Sequence, residues 1–181
     1  MNRDQALELV KRYVKNENSI KHMLAAEAIM VDLARRLNQE KDKWGLVGLL
    51  HDLDIEMTGP EIHGLKAAEI LKDKDVDREI IEAIKAHNEA TGKVPETLIE
   101  KAIFCTDPLT GLIVAAVLVL PLKKLTELTL ESVLKRFKEK AFARGANRKA
   151  IGQCSAIGLD LEEFIKIGLD AMKRESDQLG L

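Results

Sequence analysis

Two histidines stand among several carboxylates in the segment GLLHDLDIEMTGPEIHG, residues 48–64. His51 and Asp52 are adjacent at the end of an apolar run, and His63 follows eleven residues after Asp52. Imidazoles and ionised carboxylates are the side chains that bind divalent transition metals. The segment therefore indicates either part of a metal site or a helix end followed by a polar loop.

The other two histidines, His22 and His87, also precede residue 88, and Asp107 follows them. Taken singly, each has an ordinary explanation. His22 fits a half-buried or surface position, His63 a helix start, and His87 a satisfied core histidine on the face of Ile80 and Ile84, while Asp107 before Pro108 resembles a helix N-cap. Taken together they favour a metal site, because a helical bundle can turn one ligand inward from each of several helices.

Helical periodicity runs through almost the whole chain, and the sequence predicts an all-α protein of eight or nine helices. We expect helices near 3–15, 20–37, 61–72, 77–89, 129–143, 147–157 and 160–175. Trp44, Val47 and Leu50 lead another helix into His51, and one more begins after Pro95, where Asp107-Pro108 interrupts or restarts it. The length of 181 residues indicates one domain, with a core at about 18–120 and C-terminal helices at about 121–181.

Composition narrows the class of protein. Charged residues are 32%, aromatic residues 3% and the net charge is −2, which argues against a nucleic-acid polymer as partner. The amphipathic start does not resemble a signal peptide, and the apolar stretch 111–122 is too short to span a membrane, so we expect a cytoplasmic protein. Cys105 and Cys154 lie in apolar helical contexts and are expected to be buried thiols, although one disulfide is possible.

The order of His22, His51-Asp52 and Asp107 resembles the pattern of the HD-domain superfamily of metal-dependent phosphohydrolases, including its HDIG-like members. The resemblance covers about residues 18–120 and implies a compact multi-helix HD-like bundle with a C-terminal helical extension. It implies that His22, His51, Asp52 and Asp107 hold a first divalent metal. In dinuclear members two more histidines lie between the His-Asp pair and the last aspartate, and His63 and His87 occupy that interval. The resemblance therefore implies that His63 and His87 hold a second metal, to which Asp52 bridges.

The resemblance does not fix the metal, which we expect to be one or two ions of Mn, Fe, Mg, Co, Ni or Zn. Many members follow the pair with Gly-Lys or place a glutamate three residues later, whereas this chain has Leu53-Asp54-Ile55-Glu56. We take Asp52 and Asp54 as candidate catalytic residues, with Glu56 as an alternative to Asp54. Either of the latter two side chains is otherwise expected to face solvent or to support a ligand.

Phosphate binding needs positive charge, and Glu139 is the only acid between residues 135 and 149. The candidate substrate-binding cations are Lys66, Lys85, Lys140, Arg144 and Arg148. A solvated helix face is the commoner explanation of such a basic stretch.

The sequence thus predicts a metal-dependent phosphohydrolase that acts on a small phosphorylated molecule or nucleotide, as a monomer or homodimer. One alternative is a dinuclear non-haem iron oxygenase of HD type. Another is a non-catalytic regulatory domain that binds a metal or a nucleotide.

Overall fold

Ten α-helices and three short 3-10 helices form the fold, and there is no β-strand. The computed structural model describes all 181 residues. The α-helices are α1 (Arg3–Tyr13), α2 (Glu17–Arg36), α3 (Lys41–Leu50), α4 (Leu65–Lys72), α5 (Arg78–Ala86), α6 (Leu98–Leu118), α7 (Leu130–Lys138), α8 (Arg148–Gly152), α9 (Leu161–Arg174) and α10 (Ser176–Leu179). The all-α prediction is confirmed.

Polar side chains fix the starts of α2, which carries His22, and of α6, which carries Asp107. Asn16 caps α2 by accepting from the amides of Asn18 and Ser19. Thr97 and Glu100 form a reciprocal capping box at the start of α6. Such caps satisfy amides that the first helical turn leaves unpaired.

Helix α6 continues through Pro108, so the predicted interruption at Asp107-Pro108 is wrong. A proline inside a helix removes one hydrogen bond and crowds the preceding turn. Burial offsets that cost here, because residues on both sides of Pro108 are fully buried, among them Ile103 and Leu112. Asp107 is consequently a mid-helix residue and not an N-cap.

Among the helix ends that differ from the prediction, two lie next to histidines. Helix α4 begins at Leu65, so His63 lies in the preceding turn rather than inside the helix. Helix α5 ends at Ala86, and His87 occupies its C-cap before a short 3-10 helix at Glu89–Thr91. The predicted helix at 147–157 is divided into α8 and a 3-10 helix at Gln153–Ile157. Helix α10 has four residues, which is too short for a periodic pattern to predict.

Helix α2 is central and packs against α3, α6 and α9. It approaches α3 most closely at Gly48, where a Cβ atom would lie 2.6 Å from the backbone of Ala26 and Glu27. Only glycine therefore permits this separation of the two helices. His22 lies one turn before Ala26 and His51 lies one turn after Gly48, so the close approach brings the two histidines together.

A single hydrophobic core joins the first 120 residues to the C-terminal helices, with Phe164 of α9 fully buried in it. Both cysteines are buried and free, as expected. Helix α6 has 21 residues, longer than the apolar stretch suggested, and its length and composition would suffice to cross a membrane. However, 61% of its most apolar window lies inside the protein, which is typical of a core helix.

Candidate metal centre

The His51-Asp52 pair lies directly after α3 at the centre of a group of four histidines and three aspartates. The His51 side chain is wholly buried and that of Asp52 is 10% exposed. Each of the other histidines arrives from a different segment: His22 from α2, His63 from the turn before α4, and His87 from the end of α5.

One set of ligand atoms comprises His22, His51 and Asp107, with one atom from each within 4.8 Å of the others. His22 Nε2 lies 3.1 Å from His51 Nε2 and 3.1 Å from Asp107 Oδ1. His51 Nε2 lies 3.8 Å from the same Asp107 oxygen. Three helices thus present two imidazoles and a carboxylate to one point.

A second set comprises Asp52, His63 and His87, again with atoms within 4.8 Å of one another. Asp52 Oδ1 lies 2.7 Å from His63 Nε2 and 3.5 Å from His87 Nε2. Asp52 also contacts the first set, since its Oδ1 is 3.3 Å from His51 Nε2 and its Oδ2 is 3.4 Å from His22 Nε2. Asp52 therefore lies between the two sets.

The far side of three rings is hydrogen-bonded so that Nε2 faces the centre. His51 Nδ1 donates to the Gly48 carbonyl at 2.8 Å and His87 Nδ1 to the Ile84 carbonyl at 2.5 Å. A carbonyl only accepts, so Nδ1 carries the proton in both rings.

His22 reaches the same tautomer through a hydroxyl. Thr110 donates to the Asp107 carbonyl at 2.7 Å and accepts from His22 Nδ1 at 2.8 Å. Nothing in the sequence singles out Thr110 as a partner of His22, although its position three residues after Asp107 places it on the same helix face.

His63 Nδ1 instead lies 2.8 Å from Asp54 Oδ1. Its N–H is not aligned with that oxygen, so the contact is an electrostatic one rather than a good hydrogen bond. Gly64 follows with φ of 91°, and a Cβ there would come within 3.1 Å of the His87 ring. Glycine at this position therefore allows the turn to carry His63 past His87.

The carboxylates determine the charge of the histidines when no metal is bound. Burial disfavours the His22 imidazolium, but contact with Asp107 and the charge of Asp52 outweigh it and raise the pKa of His22 to about 9. Burial likewise opposes protonation of His63, yet contacts with Asp52 and Asp54 raise the pKa of His63 to about 10.

The aspartates shift in the opposite direction. Burial alone would raise the pKa of Asp52, but His51, His63 and His87 together lower it well below its ordinary value. Burial is also outweighed at Asp107, where contact with His22 and His51 lowers the pKa. The centre thus keeps two ionised carboxylates at neutral pH, as metal ligands must be.

These residues fit one or two divalent ions by the chemistry of their donors. Four imidazoles present Nε2 inward, and three of them donate the other ring N–H to an oxygen, as a metal-ligating histidine normally does. His22 and His51 bring two ring nitrogens to within 3.1 Å of each other. A cation at this centre would be coordinated by those nitrogens.

A cavity of about 480 Å³ opens onto the centre and is lined by His22, His63, His87 and Asp107. Its other walls include Ile55, Phe104 and the Gly145–Asn147 loop, and no lysine or arginine lines it. A larger cavity of about 760 Å³ lies at α1, α2, α3 and α9, but it holds no histidine and no part of this centre.

The five predicted substrate-binding cations therefore lie outside the cavity lining. Lys66 pairs with Glu69 and Lys85 pairs with Glu82, each at 2.7 Å. Lys140 and Arg144 are exposed and make no ion pair, so a role for them stays a prediction.

The prediction for Arg148 needs a correction. Its guanidinium donates to five main-chain carbonyls, those of Arg136, Phe137, Phe142, Ala143 and Ala146. These bonds use the whole donor set of the side chain. Arg148 thus shapes the loop that borders the cavity and has no N–H left for a substrate.

The two acids that follow the pair have separate positions. Asp54 is fully buried behind His63 and does not line the cavity, so of the two expected alternatives it contacts a ligand and does not face solvent. Glu56 is exposed and accepts from the amides of Lys15 and Asn16 between α1 and α2. Glu56 therefore lies away from the centre.

An all-α fold with histidines and aspartates in this order defines the HD class of domains, and the comparison with known families agrees. The HD domain family matches residues 19–111, half of the chain, and the chain belongs to that family. HD domains bind divalent metals, and their superfamily consists generally of hydrolases.

Curated relatives include two proteins named Ribonuclease Y. That of Lawsonia intracellularis is 32% identical over 99 residues, which cover 52% of this chain and 18% of the relative. That of Nitratidesulfovibrio vulgaris strain DP4 is 32% identical over 100 residues, 53% of this chain and 18% of the relative. The chain thus aligns with less than a fifth of these relatives, and no solved structure matches it.

Proposed function

We propose that this protein is a metal-dependent phosphohydrolase that acts on a small phosphorylated molecule or nucleotide. The observation that carries the proposal is Asp52, which lies between two sets of ligand atoms beside a cavity of about 480 Å³. A divalent ion bound there would polarise a phosphoryl oxygen and lower the pKa of a bound water.

The residues of the chain would divide the work by position. His22, His51, Asp52 and Asp107 would hold the first ion, and Asp52, His63 and His87 would hold the second. Asp107 borders the cavity with a side chain 32% exposed, so among these aspartates it is the one best placed to contact a bound water or substrate.

The cavity supports a small substrate with few charges. Its walls contain no lysine or arginine, so bound metal would supply the positive charge that a phosphoryl group needs. Ile55, Phe104 and Pro108 provide an apolar side for the rest of the molecule. A single phosphoryl group fits this lining better than a triphosphate does.

The first experiment is elemental analysis of the untagged protein purified without chelators, followed by hydrolysis of p-nitrophenyl phosphate. We expect two divalent ions per chain and turnover that a chelator abolishes. The His51→Ala variant should lose metal binding and turnover. The control variant Asp73→Asn, which changes an exposed aspartate at the end of α4, should keep metal binding and turnover.

The same preparation separates the alternatives. Two iron atoms per chain together with substrate-dependent oxygen uptake would indicate that the protein oxidises its substrate and does not hydrolyse it. Nucleotide binding without turnover of any phosphate ester would indicate a regulatory domain. A protein that binds no metal after supplementation would refute the catalytic proposal.

Hydrolysis of a phosphodiester bond in RNA is a second candidate, and the similarity to proteins named Ribonuclease Y favours it. The loop Gly145–Asn147, which lines the cavity, follows the exposed Lys138, Lys140 and Arg144. Faster cleavage of bis-p-nitrophenyl phosphate and of a short RNA than of the monoester would select this candidate. A small-molecule substrate fits the cavity better than RNA does, because the cavity walls carry no lysine or arginine to bind a polyanion.

A further inference from the structure

Asp54 is buried and joins the second ligand set to the start of α4. Its side chain has no exposed surface, and its polar contacts are with residues nine to thirteen positions later in the chain. Because it does not line the cavity, it cannot touch a substrate bound there. A role in the reaction must act through another residue.

The two oxygens of Asp54 have different partners. Oδ2 accepts from the amides of Gly64 and Ala67, each at 2.9 Å, and so caps the first turn of α4. Oδ1 lies 2.8 Å from His63 Nδ1 and 3.2 Å from the Gly64 amide. One carboxylate therefore anchors both the helix start and the ring that precedes it.

His63 depends on this contact more than the other histidines depend on theirs. His22, His51 and His87 each make a well-aligned bond from Nδ1 to a hydroxyl or a main-chain carbonyl. Nδ1 of His63 is buried, and only Asp54 approaches it. A carboxylate accepts but does not donate, so it favours the tautomer with the proton on Nδ1 and the lone pair on Nε2.

We propose that Asp54 is a positioning residue that fixes the tautomer and orientation of His63 and thereby completes the second metal site. This inference rests on the proposed function. It gives Asp54 a role one step removed from the reaction, in place of the catalytic role that the sequence suggested. Carboxylates placed behind metal-bound histidines typically contribute 10–100-fold to metal affinity.

The variant Asp54→Asn tests the tautomer directly. The amide oxygen should take the place of Oδ2, because an NH₂ group there would face two N–H donors. The NH₂ group would then face His63 Nδ1 and require it to accept, which moves the ring proton to Nε2 and blocks that ligand atom. Asparagine is as good a cap as aspartate, so α4 should remain formed.

The measurement is metal stoichiometry and affinity by titration of the metal-free protein with Mn²⁺, with thermal melting to follow the fold. We expect the second ion to bind about 10–100-fold more weakly to Asp54→Asn, with the first ion retained. The matched control is Asp160→Asn, since Asp160 caps α9 by accepting from Glu163 at 2.8 Å and contacts no histidine. It should bind both ions as the wild type does.

Unchanged affinity for the second ion in Asp54→Asn would overturn the inference and leave the proposed function intact. A wild-type chain that binds fewer than two ions would overturn the dinuclear site itself. Loss of both ions together with a lowered melting temperature would show that Asp54 supports the fold and not one histidine.

Discussion

Asp52 serves both ligand sets because its two oxygens face different histidines. Oδ1 faces His51, His63 and His87, and Oδ2 faces His22. His87 contacts Asp52 but no atom of Asp107 within ion-pair distance. Substitution of Asp52 should therefore reduce metal binding more than substitution of His87 does.

We predict that Asp52→Ala binds no metal, whereas His87→Gln keeps one ion and loses the other. Removing Asp52 takes away the carboxylate that contacts both sets. Removing His87 leaves all four residues proposed for the first ion in place, namely His22, His51, Asp52 and Asp107. Elemental analysis of each purified variant measures the difference. Two ions in His87→Gln would show that His87 is not a ligand.

At the scale of the elements, the centre depends on how closely α2 and α3 approach each other. Gly48 allows that approach, and Gly45 lies one turn earlier on α3, where a Cβ would come 2.9 Å from Val31. His22 lies on α2 and His51 directly follows α3, so the separation of these two helices sets the distance between His22 and His51.

We predict that Gly48→Ala lowers the free energy of unfolding by about 1–3 kcal/mol, the usual cost of overpacking. It should also weaken metal binding, because the new Cβ would force α2 and α3 apart. Denaturant unfolding and metal titration give the two quantities.

The control is Gly152→Ala, where nothing lies within 4 Å of the added Cβ and the backbone has helical angles. That change should leave metal affinity unchanged and stability equal or slightly higher. Equal behaviour of the two variants would contradict the packing argument.

For the whole molecule, the charges of the centre couple folding to pH when metal is absent. The pKa of His22 is about 9 and that of His63 about 10, both above the ordinary value of 6.5. A group whose pKa is raised by folding contributes its full stability below its unfolded pKa and loses it as pH rises through its folded pKa. Asp52 and Asp107 have lowered pKa values and lose their contribution only in acid.

We predict that the melting temperature of the metal-free protein falls as pH rises from about 6.5 to 10. The metal-loaded protein should be more stable and less sensitive over that range, since bound metal replaces the protons and stabilises the folded state. Melting curves with and without chelator test this. A metal-free melting temperature that rises over the same range would contradict the charge assignment.

The sequence by itself determined the all-α class and the residues of the centre. Periodic apolar positions predict helices because each helix must bury one face. All four histidines lie in the first 87 residues, which indicates that they belong to one site. The order of His22, His51-Asp52 and Asp107 was enough to suggest the family, which the match to residues 19–111 confirms.

Only the tertiary structure decided which polar residues support the centre and which do not. Asp54 and His63 lie in different turns, and Thr110 and His22 lie on different helices. No local sequence pattern therefore predicts the contacts between them. The charge of Arg148 suggested phosphate binding, whereas five carbonyls of a folded loop take all its donors. Helix α6 continues through Pro108 because the free energy of burying its apolar residues in the core outweighs the local preference of proline to end a helix.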